Sequence, residues 1–144
     1  MKILVINGPN LNMLGIREPE IYGRTTLADI EVMMRQHALK SGAELSFYQS
    51  NHEGDLVDRI QQAYGVEDGI IINAGAYTHT SVAILDALKA VGLPTVEVHI
   101  TDPTTREDFR KISYISYYAI ATISGHGPQG YLEAMDVLTG RKDD

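Results

Sequence analysis

The feature that most constrains this chain is a set of five short β-branched runs, each followed by polar residues and then an amphipathic segment. The runs are ILVIN (3–7), ELSFYQS (44–50), GIIIN (69–73), TVEVHI (95–100) and YAIATIS (118–124). Between them, apolar residues recur at helical spacing over 27–40, 55–64 and 81–91, and again near 131–139. Strands that alternate with helices imply βαβ units and a parallel sheet. ILVI and GIII are apolar without a break, which suits strands covered on both faces. Gly42, Gly65, Gly92 and Gly140 stand just past the predicted helices, where a helix end favours a residue able to take positive φ. The expected fold is α/β: a flavodoxin-like, doubly wound sheet of five parallel strands. One domain is expected over 1–144, a common size for a single domain, with RKDD (141–144) as a disordered tail.

Composition narrows the partners. Cysteine is absent, so neither a disulfide framework nor a thiolate zinc site is available. A formal charge of −7 and a pI near 5.1 argue against a nucleic-acid footprint. No apolar run is long enough to span a membrane, and MKILVINGPN lacks the pattern of a signal peptide. The expected location is the cytoplasm. The chain contains no G-x-x-x-x-G-K-[ST] phosphate loop, no H-E-x-x-H and no G-x-S-x-G, and its histidines lack metal-ligand spacing.

In open α/β sheets, ligands bind beyond the carboxyl ends of the strands. The segments that follow the five runs hold Asn7, Asn10, Asn12, Asn51, His52, Glu53, Asn73, His79, Glu97, His99 and His126, including four of the five histidines. In TVEVHI, alternation puts Glu97 and His99 on one face and Val96, Val98 and Ile100 on the other. A Glu and a His on a covered face must be paired. They are either a satisfied structural pair or an acid–base histidine oriented by a carboxylate.

NAGAYTHTS enters a helix that Thr80 or Ser81 can cap, which leaves Asn73 and His79 without a structural reason. GHGPQG (125–130) matches G-x-G-x-x-G but follows the last strand, so a turn with close backbone approach is the better reading. Arg106 and Arg110 share a face if TREDFRK is helical, either as a solvated charged surface or as part of an anion site. The loop GIREPEIYGRTT (15–26) has almost no core pattern, yet it carries Tyr22 between Arg17 and Arg24. Tyr22 is either a surface aromatic or a phenol whose ionisation the arginines promote.

Taken together, NGPNLNMLGIREPEIYG, QSNHEG, INAGAYTHTS, EVHIT and the closing GxGxxGY resemble the motifs of the type II 3-dehydroquinate dehydratases (type II dehydroquinases), in that family's order from about Ile3 to about Leu138. The resemblance implies trans elimination of water from 3-dehydroquinate to 3-dehydroshikimate, with no metal, organic cofactor or imine. It places the catalytic base on Tyr22, the arginine that favours its phenolate on Arg17, and the side chain beside an enolate-stabilising water on Asn10. The general acid falls on His99, with Glu97 holding its ring. The substrate carboxylate falls on Asn73 and the backbone amides of Ile100 and Thr101, and the ring hydroxyls fall on His79 and Arg110. Asp86 matches a residue that reaches a neighbouring subunit's site, and the implied assembly is a dodecamer of trimers. Thr101, Asp102 and Ala74 replace the Ser, Asn and Pro common in the family, and Asp102 brings a negative charge near the carboxylate site. The rival readings are a nucleotide- or flavin-binding module, an inactive scaffold, and a lyase for another cyclic hydroxy acid.

Overall fold

A computed structural model of the chain describes residues 1–16 and 18–140, without the side chain of Tyr22. Arg17, the Tyr22 phenol and the expected tail at 141–144 therefore lie outside the described residues. Five strands form one sheet: β1 (Lys2–Asn7), β2 (Glu44–Gln49), β3 (Gly69–Asn73), β4 (Thr95–His99) and β5 (Ala121–Ser124). Their order is β2-β1-β3-β4-β5, and every pair is parallel. The chain runs outward from β1 to β2 and then crosses back to β3, so the switch point lies between β1 and β3. A crevice is expected there, at the carboxyl ends of the strands. Register brings the strand-end polar residues into one row: Gln49 beside Asn7, Asn7 beside Asn73, and His99 beside Ser124.

A one-turn helix α1 (Pro19–Tyr22) lies in the long first loop. The larger helices are α2 (Leu27–Ala38), α3 (Glu53–Gln62), α4 (Val82–Val91) and α5 (Gln129–Thr139). On one face of the sheet, Ile3, Val5, Ile71, Val96 and Val98 pack with Ile30 and Met34 of α2 and Tyr131 and Met135 of α5. On the other, Leu4, Ile6, Ile70 and Ile72 pack with Leu56 and Ile60 of α3 and Ile84 and Leu88 of α4. Each such side chain contributes about 1.5–3 kcal/mol by leaving water, which fixes the strands whose ends carry the polar residues. Thr26 and Asp29 form a reciprocal capping box at α2. Of the two candidate caps for α4, Ser81 is the one used: its Oγ accepts from the Ile84 N–H at 3.0 Å.

Two expectations shift. The fifth strand begins at Ala121 rather than at 118. Residues 118–120 stay outside the strand, following a 3-10 turn at Ile115–Tyr117: Ile115 is fully buried against the α3/α4 face, and Tyr118 packs there too, donating its phenol to the Leu93 carbonyl at 2.9 Å. The segment carrying Arg106 and Arg110 is not one helix. Pro103–Thr105 and Asp108–Arg110 are separate 3-10 turns, and Arg106 between them is extended.

Candidate active site

The turn after β1 forms one wall. Asn10 adopts a left-handed conformation (φ 70°), which asparagine tolerates better than most residues. Its N–H donates to Asn51 Oδ1 at 3.0 Å. Gln49 Nε2 ties the same turn to β2, donating to the Gly8 carbonyl at 3.1 Å and to Asn51 Oδ1 at 3.3 Å. Gly8 lies so close to the turn after β3 that a Cβ there would collide with the Ala74 carbonyl. Ala74 itself is buried.

Beneath the β3 end lies a neutral polar network. Tyr131, fully buried on α5, donates its phenol to Asn7 Oδ1 at 2.6 Å and accepts from Asn73 Nδ2 at 3.0 Å. Asn73 Oδ1 accepts the Gly75 N–H at 3.2 Å. These bonds fix which end of the Asn73 amide faces which way. Burial pushes the Tyr131 phenol well above its ordinary value, so this tyrosine stays neutral.

Beneath the β4 end lies a charged one. Glu97 is wholly buried and His99 nearly so, on the same face of β4. His99 Nε2 hydrogen-bonds Glu97 Oε2. Three hydroxyls also donate to the Glu97 carboxylate: Ser113 at 2.7 Å, Ser116 at 2.6 Å and Thr122 at 3.2 Å. Burial alone would raise the Glu97 carboxyl, but the hydrogen bond and charge of His99, then the two serines, outweigh it and hold it below the ordinary carboxylate value. An ionised Glu97 accepts the Nε2 proton and leaves Nδ1 of His99 available for proton transfer.

These walls enclose a cleft of about 260 Å³, with Asn10, Asn73, His79, His99, Ile100, Thr101, Arg106 and Arg110 among its lining residues. Seven of these were expected there as site residues; Arg106 joins them from its extended stretch between the two turns. Two of the contributing side chains, Arg106 and Arg110, are guanidinium groups and two more, His79 and His99, are imidazoles, which gathers basic groups locally in an acidic chain, as an anionic ligand requires. His79 donates Nδ1–H to the Ile112 carbonyl at 2.7 Å, freeing Nε2. Arg110 is held by Glu107 at 2.6 Å. Glu97 does not reach the cleft; it lines a smaller cavity of about 120 Å³ shared with His99.

Asp86 is exposed on α4 and is not among the cleft residues. Asp102 does not line the cleft either. Its carboxylate accepts from Thr104 N–H at 3.0 Å and from Thr104 Oγ1 at 2.7 Å, and those bonds hold it below the ordinary carboxylate value. The GHGPQG stretch is a turn, as expected: Gly125 N–H donates to the His99 carbonyl at 3.2 Å and Gly127 N–H to the Ile100 carbonyl at 3.0 Å. It therefore braces the end of β4. Sequence reading gave no role to Ser113, Ser116, Thr122 or Gln49. The available signals were slight: two serines three apart in SYIS, and a threonine that falls beside Glu97 in the β4–β5 register.

Among the described residues, no group of three or more His, Asp or Glu side chains is placed to hold a metal ion. None of the helices there is long and apolar enough to cross a membrane.

The chain is similar to known proteins over nearly its whole length. The "3-dehydroquinate dehydratase" of Campylobacter hominis is 58% identical over 135 residues, covering 94% of this chain and 87% of the relative. That of Corynebacterium glutamicum is 55% identical over 141 residues, covering 98% and 97%. "Catabolic 3-dehydroquinase 1" of Aspergillus terreus is 58% identical over 134 residues, covering 93% and 88%. The crystal structure of a type II dehydroquinase from Butyrivibrio crossotus superposes with a TM-score of 0.94 at 49% identity, covering 96% of this chain and 97% of that one. The dehydroquinase class II family model matches residues 1–139, and the chain belongs to that family.

Proposed function

We propose that this chain is a hydro-lyase that eliminates water from 3-dehydroquinate to give 3-dehydroshikimate. The observation that carries the reading is the His99–Glu97 pair: a histidine held by a buried carboxylate, at the floor of a cleft with basic side chains, in a member of the dehydroquinase family.

The steps balance without an outside reagent. Tyr22, as phenolate favoured by Arg17, removes the proton from C2 beside the ketone. A guanidinium nearby lowers the cost of the phenolate. The electron pair moves into an enolate, and the water beside Asn10 stabilises the developing charge. The enolate collapses, the C1–O bond breaks, and His99 gives its proton to the departing oxygen, which leaves as water. The new C1=C2 double bond is conjugated with the ketone. Glu97 holds the His99 ring in orientation for this step. Asn73 and the amides of Ile100 and Thr101 hold the carboxylate, while His79 and Arg110 hold the ring hydroxyls.

The whole chain acts as one catalytic domain in the cytoplasm. It assembles into a dodecamer of trimers, in which the exposed Asp86 of α4 reaches a neighbour's cleft.

The test is to mix purified protein with 3-dehydroquinate and a chelator and follow the absorbance of the conjugated enone. The expected result is a rise that persists after treatment with borohydride and substrate, because no imine forms to be trapped. No rise from folded, assembled protein would overturn the assignment.

A further inference from the structure

We propose that the hydroxyls of Ser113 and Ser116 are positioning residues that set the acid strength of His99, acting through the carboxylate they share with it. The inference rests on His99 being the acid of the proposed dehydration. Its physical basis is the crowding of donors around one buried group. Glu97 accepts from His99 Nε2, from Ser113 on one oxygen, and from Ser116 and Thr122 on the other. Ser116 is the best placed, at 2.6 Å, and its hydroxyl also lies 3.3 Å from Thr122 Oγ1. The Ser113 hydroxyl accepts the Ser116 N–H at 3.2 Å, so Ser113, just before the 3-10 turn, and Ser116, within it, are tied together against Glu97.

A carboxylate with His99 as its only partner would compete strongly for the imidazole proton, and the acid would be weak. Each hydroxyl bond spreads the negative charge, and each hydroxyl dipole turns its positive end toward the pair. Both effects ease the loss of a proton from His99. Removing the hydroxyls therefore strengthens the hold of the carboxylate on the imidazole proton and makes His99 a poorer proton donor to the leaving group.

Other ionisable groups of the described residues also act on the pair. His79, Arg110 and Lys111 line the small cavity with Glu97 and His99. Arg106 lines the cleft beyond His99, and the Asp102 carboxylate feels the His99 charge. Arg110 is paired with Glu107, and Lys111 with Asp108 at 3.0 Å. A serine-to-alanine change leaves all of these in place, so a difference between variants reports the hydroxyls.

The experiment is an NMR titration of the His99 imidazole in the parent, Ser116→Ala, Ser113→Ala/Ser116→Ala and Ser116→Thr proteins, with the pH profile of kcat for each. The double variant is expected to titrate about one pH unit higher than the parent. The alkaline limb of kcat moves up with it, and Ser116→Thr returns both toward the parent. If the double variant does not fold, Ser116→Ala gives the same reading with a smaller shift. An unchanged titration midpoint, with activity lost or kept, would overturn the proposal. A parent that fails to turn over 3-dehydroquinate, but whose His99 midpoint still moves in the variants, would sink the dehydratase reading and leave the coupling standing.

Discussion

Two buried polar networks lie side by side under the cleft, and they differ in what they can do. Under β3, Asn7, Tyr131 and Asn73 share hydrogen bonds among neutral groups. Under β4, Glu97 gathers His99, Ser113, Ser116 and Thr122 around a charge. The neutral network fixes the direction of one amide and has no proton to give near neutral pH. The charged one fixes the direction of a proton and the ease of its release. The difference teaches that burial sorts polar groups by role. A phenol with no cation beside it is driven further toward neutrality, whereas a carboxyl beside an imidazole and three hydroxyls stays ionised.

The largest effect that separates the two networks is expected from the acid itself. His99→Ala should lower kcat about a thousandfold, with a much smaller change in KM, because a positioned proton donor acts in the transition state. Steady-state kinetics would check this, and a loss confined to KM would move His99 from catalysis to binding. Glu97→Gln should cost about a hundredfold in kcat, since the ring loses its anionic partner but keeps a neighbour of similar shape.

The same change predicts a pH-dependent stability. The Glu97 carboxyl is held below its ordinary value of 4.5, so its contribution is full above that value and is lost as pH falls through the folded-state pKa. The stability gap between the parent and Glu97→Gln, read by denaturant unfolding, should therefore narrow below about pH 4.5. A gap that widens toward acid would reverse the assignment of Glu97 as the ionised partner.

Tyr131→Phe tests the neutral network. It strands Asn7 Oδ1 and one Asn73 donor, so a stability loss of about 1–3 kcal/mol is expected, together with a raised KM as Asn73 loses its fixed direction. The alkaline limb of kcat should not move, in contrast with the serine variants. The smallest effect is expected at Asp102. Because its carboxylate caps the Thr104 turn rather than lining the cleft, Asp102→Asn should change KM by less than about twofold. A marked fall in KM would show that the charge reaches the substrate after all.

The sheet was legible in the sequence because its signals are local. Unbroken runs such as GIIIN mark buried strands, and TVEVHI shows by alternation alone that Glu97 and His99 share a face. The strand-end residues were legible for the same reason, since a parallel sheet gathers its ligands at one edge. The hydroxyls around Glu97 were not. Ser116 lies in a 3-10 turn and Ser113 just before it, 19 and 16 residues further on, and their aim depends on how Ile115 buries itself against the α3/α4 face. Nothing in SYIS marks such a turn by itself, and the run YAIATIS that follows draws the eye to a strand. The chemistry of Tyr22 and Arg17 came from family resemblance, since their loop has no periodicity to read.

The central claim is that proton removal and proton delivery are separate acts, by Tyr22 and His99. It is tested most directly by following 3-dehydroquinate in deuterated water with the His99→Ala enzyme. The account predicts that deuterium still enters C2, because Tyr22 makes the enolate, while loss of water is nearly abolished. Exchange that disappears together with dehydration, in a folded protein that still binds substrate, would contradict it.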